Sequence, residues 1–161
     1  MTDLPGPLQA VDENARLLAR QILSEARSGV LGCLGADGMP VLARVAVMAD
    51  RNGRPVALLS ELSTHCRALR ADPRGSLLLG EPGAKGDPMT HPRLTVSGSF
   101  HAFQDPALKA DWLRLNPKAT VYINLPDFHF WRLMPTSGLM IAGFGRAYQM
   151  DPADMLKTPA A

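Results

Sequence analysis

The chain has 161 residues, of which 46% are hydrophobic and 20% are charged, a composition typical of one globular domain rather than of a disordered chain. Seventeen Lys and Arg residues against fifteen Asp and Glu residues give a formal net charge of +2, and this weak excess argues against nucleic acid as a partner. No apolar stretch approaches the roughly 20 residues needed to span a bilayer. The two cysteines, Cys33 and Cys66, have no metal-ligand spacing, and no secretory signal is recognisable at the start, so we predict a cytoplasmic protein without a metal site or a membrane partner.

The first half of the sequence is predicted to run helix, hairpin, strand and helix. Prolines and a glycine near the start predict a flexible lead-in over residues 1–12. An apolar stripe at helical spacing then predicts a helix that is capped by Asp12 or Asn14 and ends at Gly29. Three strands follow, over residues 30–34, 41–48 and 56–59, the first two joined by an Asp-Gly turn.

The second half is predicted to consist mostly of strands. A fourth strand over 76–79 precedes a loop over 80–92, where three glycines and three prolines prevent regular structure. A long strand over 93–103 is expected to contain a bulge or a bend at Gly98. The remaining predicted elements are a helix from Asp105 or Pro106 to Leu115, strands over 128–134 and 139–148 joined by a turn at 135–138, and a short frayed tail over 151–161.

The order of these elements predicts the fold class. Six or seven short strands with hairpin signals and only a few helices are typical of an antiparallel barrel. We therefore predict a mainly β (α+β) protein with a single barrel domain over residues 13–150 and a few peripheral helices. The elements do not alternate as in a doubly wound α/β sheet, and no Gly-x-Gly-x-x-Gly follows a strand, which argues against a Rossmann dinucleotide site.

The stretch over residues 60–73 combines the features of an anion-binding site. It follows an apolar strand and changes to helical spacing, with Ser63 and Thr64 as good N-cap residues and Pro73 as a helix stop. Free N–H groups and the helix dipole at a first turn favour a phosphate, and the hydroxyls and cationic side chains nearby can complete its shell. The pattern alone leaves open the alternative of an ordinary capped surface helix.

A series of short segments runs in a characteristic order through nearly the whole chain. These segments are Gly29-Val30-Leu31, Gly38-Met39-Pro40, Arg44-Val45-Ala46-Val47, Leu58 to His65, Leu69, Asp72 to Leu78, Arg93 to Gly98, Tyr122, Asp127-Phe128 and Gly143 to Ala147. Together they resemble the pyridoxamine 5'-phosphate oxidase-like split β-barrel flavoproteins, and most of all the branch that includes haem-utilisation proteins of the HugZ type. The resemblance implies a split β-barrel of six to seven antiparallel strands, and a homodimer that holds FMN at its interface.

The resemblance also implies which residues bind the cofactor. Ser60 matches a hydroxyl position near the ribityl chain or ring, and Thr64 and His65 match phosphate-binding positions at the start of a helix, beside the cap residue Ser63. Many family members have Ser-Arg-Lys at this place, so His65 departs from the family pattern. It is expected to be either a phosphate ligand or a plain surface residue. The residues that match the strand lining the flavin are Arg44, Val45, Ala46 and Val47.

Arg67, Trp131 and Arg132 complete the predicted cofactor site. The family pattern has positive charge directly after Thr64 that this chain lacks, and Arg67, together with Arg44, can replace it. Trp131 and Arg132 are expected either to reach the flavin of the other subunit or to pack in the core or the interface.

The predicted function follows from the cofactor. Leu94 stands where the oxidase has a Gln that contacts the cofactor, and the C-terminal Arg-x-His-x-Arg motif of the oxidase is missing, so pyridoxamine phosphate oxidation is not expected. The extra domain and terminal His-rich segment of the HugZ type are likewise not expected, since the chain ends at Ala161. We expect an FMN-dependent oxidoreductase that acts on a small-molecule substrate, with the hydride chemistry supplied by the flavin. Two alternatives are a non-enzymatic protein that binds haem or another ligand in the same cleft, and a barrel that has lost its cofactor.

Overall fold

The computed structural model describes residues 8–157. Its helices are α1 (Glu13–Glu25), α2 (Thr64–Ala71), α3 (Pro106–Leu115) and α4 (Pro152–Met155), and 3₁₀ turns occupy Pro88–Thr90 and Pro117–Val121. Its strands are β1 (Ser28–Leu34), β2 (Pro40–Ala49), β3 (Pro55–Ser60), β4 (Arg74–Leu79), β5 (Arg93–Phe103), β6 (Phe128–Gly143) and β7 (Arg146–Met150).

Six antiparallel strands close into a barrel. β1 pairs with both β2 and β4, and the circuit closes because β6 pairs with both β3 and β5. Phe130 of β6, for example, pairs with Leu58 on one side and with Phe103 on the other. β7 adds a seventh strand along the far end of β6. The predicted mainly β barrel of six to seven strands with peripheral helices is therefore confirmed.

Apolar side chains form two clusters, one on each side of the barrel wall. The inner cluster fills the barrel and extends beneath α1, whose Ala19 and Leu23 are buried. The outer cluster packs Trp112 of α3 against β3 and β6. β3 separates the two clusters, so both of its faces are buried along residues 55–59. This arrangement explains why its sequence is a continuous apolar run rather than an alternating one.

The prediction of the last strand pair is wrong. Residues 128–134 and 139–143 belong to one strand of 16 residues, β6, and the turn before β7 follows Gly143. Pro135 does not break β6, because it pairs with Gly98 where the β5–β6 register shifts and Thr136 of β6 is the extra residue of a bulge. The bulge at Gly98 was predicted and is confirmed. The actual turn depends on Gly143 and Gly145, whose φ angles of +139° and +73° favour glycine.

The predicted end of the first helix is also wrong. α1 is capped by Asp12, whose side chain accepts the N–H of Ala15, but the helix ends before the cap residue Ala26. Gly29 lies inside β1 instead, and a Cβ there would sit 2.7 Å from the Leu79 side chain. This glycine therefore permits close packing between strands rather than a helix terminus.

The two ends of the described chain are ordered against the barrel. Gln9, which was predicted to lie in the flexible lead-in, donates its N–H to the Ala147 carbonyl at 2.8 Å. Within the predicted frayed tail, α4 forms, and Asp154 accepts a hydrogen bond from Arg16 at 2.8 Å while Met155 is buried. The predicted lead-in also covers residues 1–7 and the predicted tail also covers residues 158–161, and both of these stretches lie outside the described residues. No helix within residues 8–157 combines the length and the apolar composition needed to cross a bilayer.

Candidate functional site

A groove of about 340 Å³ lies where β2, β3 and the start of α2 meet, and we call it the β2–α2 groove. Its walls come from four separate segments of the chain, because the β2–β3 pairing places Ala46 opposite Leu58 and the chain turns from β3 into α2 at the same edge. The lining residues are Arg44, Val45, Ala46, Leu58, Leu59, Ser60, Ser63, His65, Tyr122 and Phe128.

The groove brings together most of the residues that were predicted to bind the cofactor. These are Arg44, Val45 and Ala46 of β2, and Ser60, Ser63 and His65 around the start of α2. Val47 does not line it, since this residue is 1% exposed and packs inside the barrel. Thr64 and Arg67 lie on the exposed face of α2 rather than in the groove wall.

The polar end of the groove is the first turn of α2. The Ser63 hydroxyl accepts the N–H of Cys66 at 3.2 Å and donates to the Ser60 carbonyl at 2.7 Å. The N–H groups of Thr64 and His65 have no acceptor among the described residues. Two open backbone donors at the positive end of a helix form a site for an anionic group.

The charge near this turn comes from arginine rather than from histidine. Arg44 is exposed at the edge of the groove, and Arg67 is exposed on α2, where its Nη2 donates to the Leu62 carbonyl at 2.9 Å. Burial lowers the pKa of the half-buried His65 imidazole, so this ring is neutral at pH 7. His65 therefore lies in the groove wall as a neutral, half-buried imidazole, and its role as a phosphate ligand stays a prediction.

The Ser60 hydroxyl is already engaged within the protein. It donates to the Asp127 carboxylate at 2.6 Å and accepts the N–H of Leu62 at 3.2 Å. Asp127 was not identified as a site residue from the sequence, and its partner lies 67 positions earlier in the chain. The pairing of β3 with the start of β6 brings these two residues together, and no local pattern signals it.

Aromatic residues that the sequence reasoning did not assign to the site close the groove. Tyr122 follows the second 3₁₀ turn and Phe128 begins β6, and their ring centroids lie 5.2 Å apart. With Leu58 they give the groove an apolar wall opposite its polar end. Such a wall suits a planar ring, since aromatic faces stack on one another.

Trp131 and Arg132 lie away from the groove within a single chain. Trp131 is 5% exposed and belongs to the cluster inside the barrel. Arg132 donates through Nε to Asp50 at 2.9 Å, and its guanidinium lies 3.9 Å from the centre of the Phe103 ring. These surroundings agree with the packing alternative for Trp131, and the contact of Arg132 with the flavin of a second subunit stays a prediction.

The two thiols are also packing residues. Cys33 and Cys66 are buried in the barrel cluster. Burial raises the pKa of both thiols, which keeps them protonated at neutral pH and poor nucleophiles.

An apolar row crosses the outer face of the sheet beside the groove. Arg44 at the groove edge pairs with Val30, which in turn pairs with Leu78. The row continues across β5 and β6 through Thr95 and Leu139. Val30, Leu78 and Leu139 are 38%, 42% and 40% exposed. We call this set of residues the outer-face row, and it forms an apolar surface continuous with the open edge of the groove.

Comparison with known families agrees with this geometry. The sequence profile of the family described as pyridoxamine 5'-phosphate oxidase matches residues 18–142, which include both walls of the β2–α2 groove. The chain belongs to the pyridoxamine 5'-phosphate oxidase family. The resemblance inferred from the sequence is thereby confirmed, including its split-barrel fold.

Relatives of this family member have names that refer to haem. The chloroplastic non-canonical haem oxygenase HOZ of Arabidopsis thaliana is 28% identical over 91% of this chain, which spans about half (48%) of that protein's length. Haem oxygenase HutZ of Vibrio cholerae is 25% identical over 85% of this chain and 81% of its own. A solved haem-binding protein from Mycobacterium smegmatis is 26% identical, with a TM-score of 0.79 over 92% of this chain and 61% of that chain.

Proposed function

We propose that this protein binds FMN in the β2–α2 groove and acts as a flavin-dependent oxidoreductase on a small-molecule substrate. The observation that carries the proposal is the pair of open backbone donors, Thr64 N–H and His65 N–H, at the polar end of an otherwise apolar groove. A phosphate at this turn would accept both N–H groups and face the helix dipole. Arg44 and Arg67 would supply the positive charge that the neutral His65 does not.

The rest of the groove fits the ring of a flavin. Leu58, Tyr122 and Phe128 would pack against its apolar part, while the backbone of β2 at Val45 and Ala46 runs along the groove wall. Bound FMN would supply the hydride or electron transfer itself. The chain's own residues would hold the phosphate, orient the ring and keep water from one of its faces.

The same geometry supports a homodimer as part of the proposal. The groove is open to solvent along one side, so a single chain would cover only part of a flavin. The outer-face row begins at Arg44 on the edge of that opening and exposes Val30, Leu78 and Leu139. A second copy that covers this row would bury apolar surface and close the groove in one step.

An absorption spectrum of the purified protein, followed by titration with FMN and, in parallel, with riboflavin, tests this proposal. Flavin bands in the spectrum, or uptake of FMN at micromolar concentration and weaker uptake of riboflavin, are the expected results. Because riboflavin lacks the phosphate, the comparison isolates the contribution of the α2 turn. A colourless protein that takes up neither compound would refute the proposal.

Haem binding is the second candidate, and two observations favour it. The relatives HOZ and HutZ are named as haem oxygenases, and the solved relative from Mycobacterium smegmatis is named as haem-binding. In the groove, His65 has a lowered pKa, and the neutral imidazole is the form that ligates iron. A Soret band on addition of haem that shifts in a His65→Ala variant would support this candidate, and an unaltered spectrum of free haem would exclude it.

A further inference from the structure

The loop between β3 and α2 is attached to the start of β6 by two hydrogen bonds. The Ser60 hydroxyl donates to Oδ2 of Asp127 at 2.6 Å, and the Glu61 N–H donates to the Asp127 carbonyl at 2.7 Å. The strand ladder ends just beside this point, with Ser60 paired to Phe128. Asp127, the residue just before β6, therefore holds the loop through both its side chain and its backbone.

A chain of hydrogen bonds leads from Asp127 into the first turn of α2. The Ser60 hydroxyl has one proton, and because this proton points to Asp127, an oxygen lone pair is left to accept the Leu62 N–H. The Ser60 carbonyl accepts both the N–H and the hydroxyl of Ser63. Ser63 then caps α2 through Cys66, so the orientation of the open donors depends on this chain.

The Glu61 side chain adds a second attachment between the same elements. Its carboxylate accepts from the Arg70 guanidinium on α2 and lies 3.2 Å from Nε2 of His129 on β6. These side chains are partly exposed, so each contact is individually weak. Their common effect is to hold α2 at a fixed position relative to β6.

The charge of Asp127 points to a positioning role rather than a binding role. A carboxylate beside an anion site repels the anion, so it weakens binding unless it contributes in another way. Asp127 does not line the β2–α2 groove, and its identified side-chain contact is with Ser60. Its favourable contribution is the orientation of the Ser60 hydroxyl and, through it, of the loop.

We propose that Asp127 is the positioning residue of the anion-binding turn: it orders residues 60–66 so that the N–H groups of Thr64 and His65 stay open at the polar end of the groove. The part of this inference that concerns phosphate rests on the proposed FMN function. The part that concerns the order of the loop does not, since all of its contacts are within the protein.

Hydrogen exchange of the ligand-free protein tests the order of the loop. In Asp127→Ala, the amides of Glu61, Leu62, Ser63 and Cys66 should exchange roughly five- to tenfold faster, as expected when about one hydrogen bond is lost. Asp127→Asn should remain close to the wild-type protein, because the amide oxygen still accepts from Ser60. The matched control is Asp111→Ala, a half-buried carboxylate on α3 that pairs with Arg114. Equal exchange in Asp127→Ala and Asp111→Ala would overturn the inference.

The ratio of FMN affinity to riboflavin affinity tests the link to phosphate. Asp127→Ala should lower this ratio roughly fivefold or more, whereas its affinity for riboflavin should change little. Ser60→Ala should lower the ratio by a similar factor, and the double variant should lower it no further than the poorer single variant, because both residues act through one contact. An unchanged ratio together with faster exchange would overturn the phosphate part alone. A wild-type protein that takes up no FMN would refute the proposed function, and hydrogen exchange would still decide the role of Asp127.

Discussion

The Ser63 hydroxyl accepts the N–H of Cys66 at 3.2 Å, and this contact determines which backbone donors of α2 stay open. The cap uses the third N–H of the helix and leaves the first two, on Thr64 and His65, for a ligand. The same hydroxyl donates to the Ser60 carbonyl, so the cap also joins the helix to the end of β3. A single serine therefore determines which N–H groups of this turn are used within the protein and which two remain open.

Removal of this cap should reduce stability without unfolding the protein. In Ser63→Ala we expect the free energy of unfolding to fall by about 1 kcal/mol, because the Cys66 N–H loses its acceptor. Chemical denaturation measures this difference. Ser24→Ala is the control, since the exposed Ser24 hydroxyl bonds only to the Gln21 carbonyl in its own helix and should matter less. A Ser63→Ala protein as stable as Ser24→Ala would contradict the assigned cap.

Replacement of both His65 and Arg67 by Ala should weaken FMN binding by a few kcal/mol, the magnitude expected for charge-assisted hydrogen bonds. The neutral His65 should contribute less than Arg67, because it offers a hydrogen bond without a charge. Isothermal titration of the two single variants and the double variant separates these contributions. Arg114→Ala, an exposed arginine on α3, is the matched control. If the double variant bound FMN with unchanged affinity, the assignment of the phosphate to the α2 turn would be wrong.

Local signals in the sequence were sufficient to predict the barrel, whereas most of the groove residues came from the family resemblance. The cap at Ser63, the bulge at Gly98 and the first five strands each depend on residues close together in the chain. Local patterns failed at Pro135, which resembles a strand terminator. Its tolerance within β6 depends on the bulge at Thr136, which forms where β6 pairs with Gly98 of β5, and that pairing is a tertiary contact.

The site residues that sequence patterns did not reveal were missed for the same reason, because tertiary contacts bring them together. Asp127 reaches Ser60, and Tyr122 and Phe128 close the groove, only because β6 pairs with β3 after a separation of about 67 residues. Trp131 illustrates the reverse case. The family resemblance suggested a contact with the flavin, but strand alternation places its side chain inside the barrel.

A charge in the outer-face row should prevent dimer formation. In Leu78→Arg we expect a monomer, because the guanidinium would have to be buried without a partner against the second copy. The variant should also lose FMN more readily if the partner completes the groove. Analytical ultracentrifugation measures the first effect and flavin retention the second. Leu17→Arg is the control, because Leu17 is 56% exposed on α1, away from this face. A wild-type protein that sediments as a monomer would contradict the proposed dimer.

Acidification should destabilise the ligand-free protein partly through His65. Burial lowers the pKa of this imidazole in the folded state below its ordinary value of 6.5, so the unfolded chain takes up the proton first as the pH falls. The contribution of His65 is therefore fully present above pH 6.5 and is lost as the pH falls towards the folded-state pKa. Denaturation at about pH 7.5 and about pH 5 should show a smaller loss of stability in His65→Gln than in the wild-type protein. His101→Gln, which alters an exposed imidazole on β5, should leave this difference nearly as it is in the wild type. If His65→Gln lost as much stability as the wild-type protein, the buried neutral imidazole would not be the source of the pH dependence.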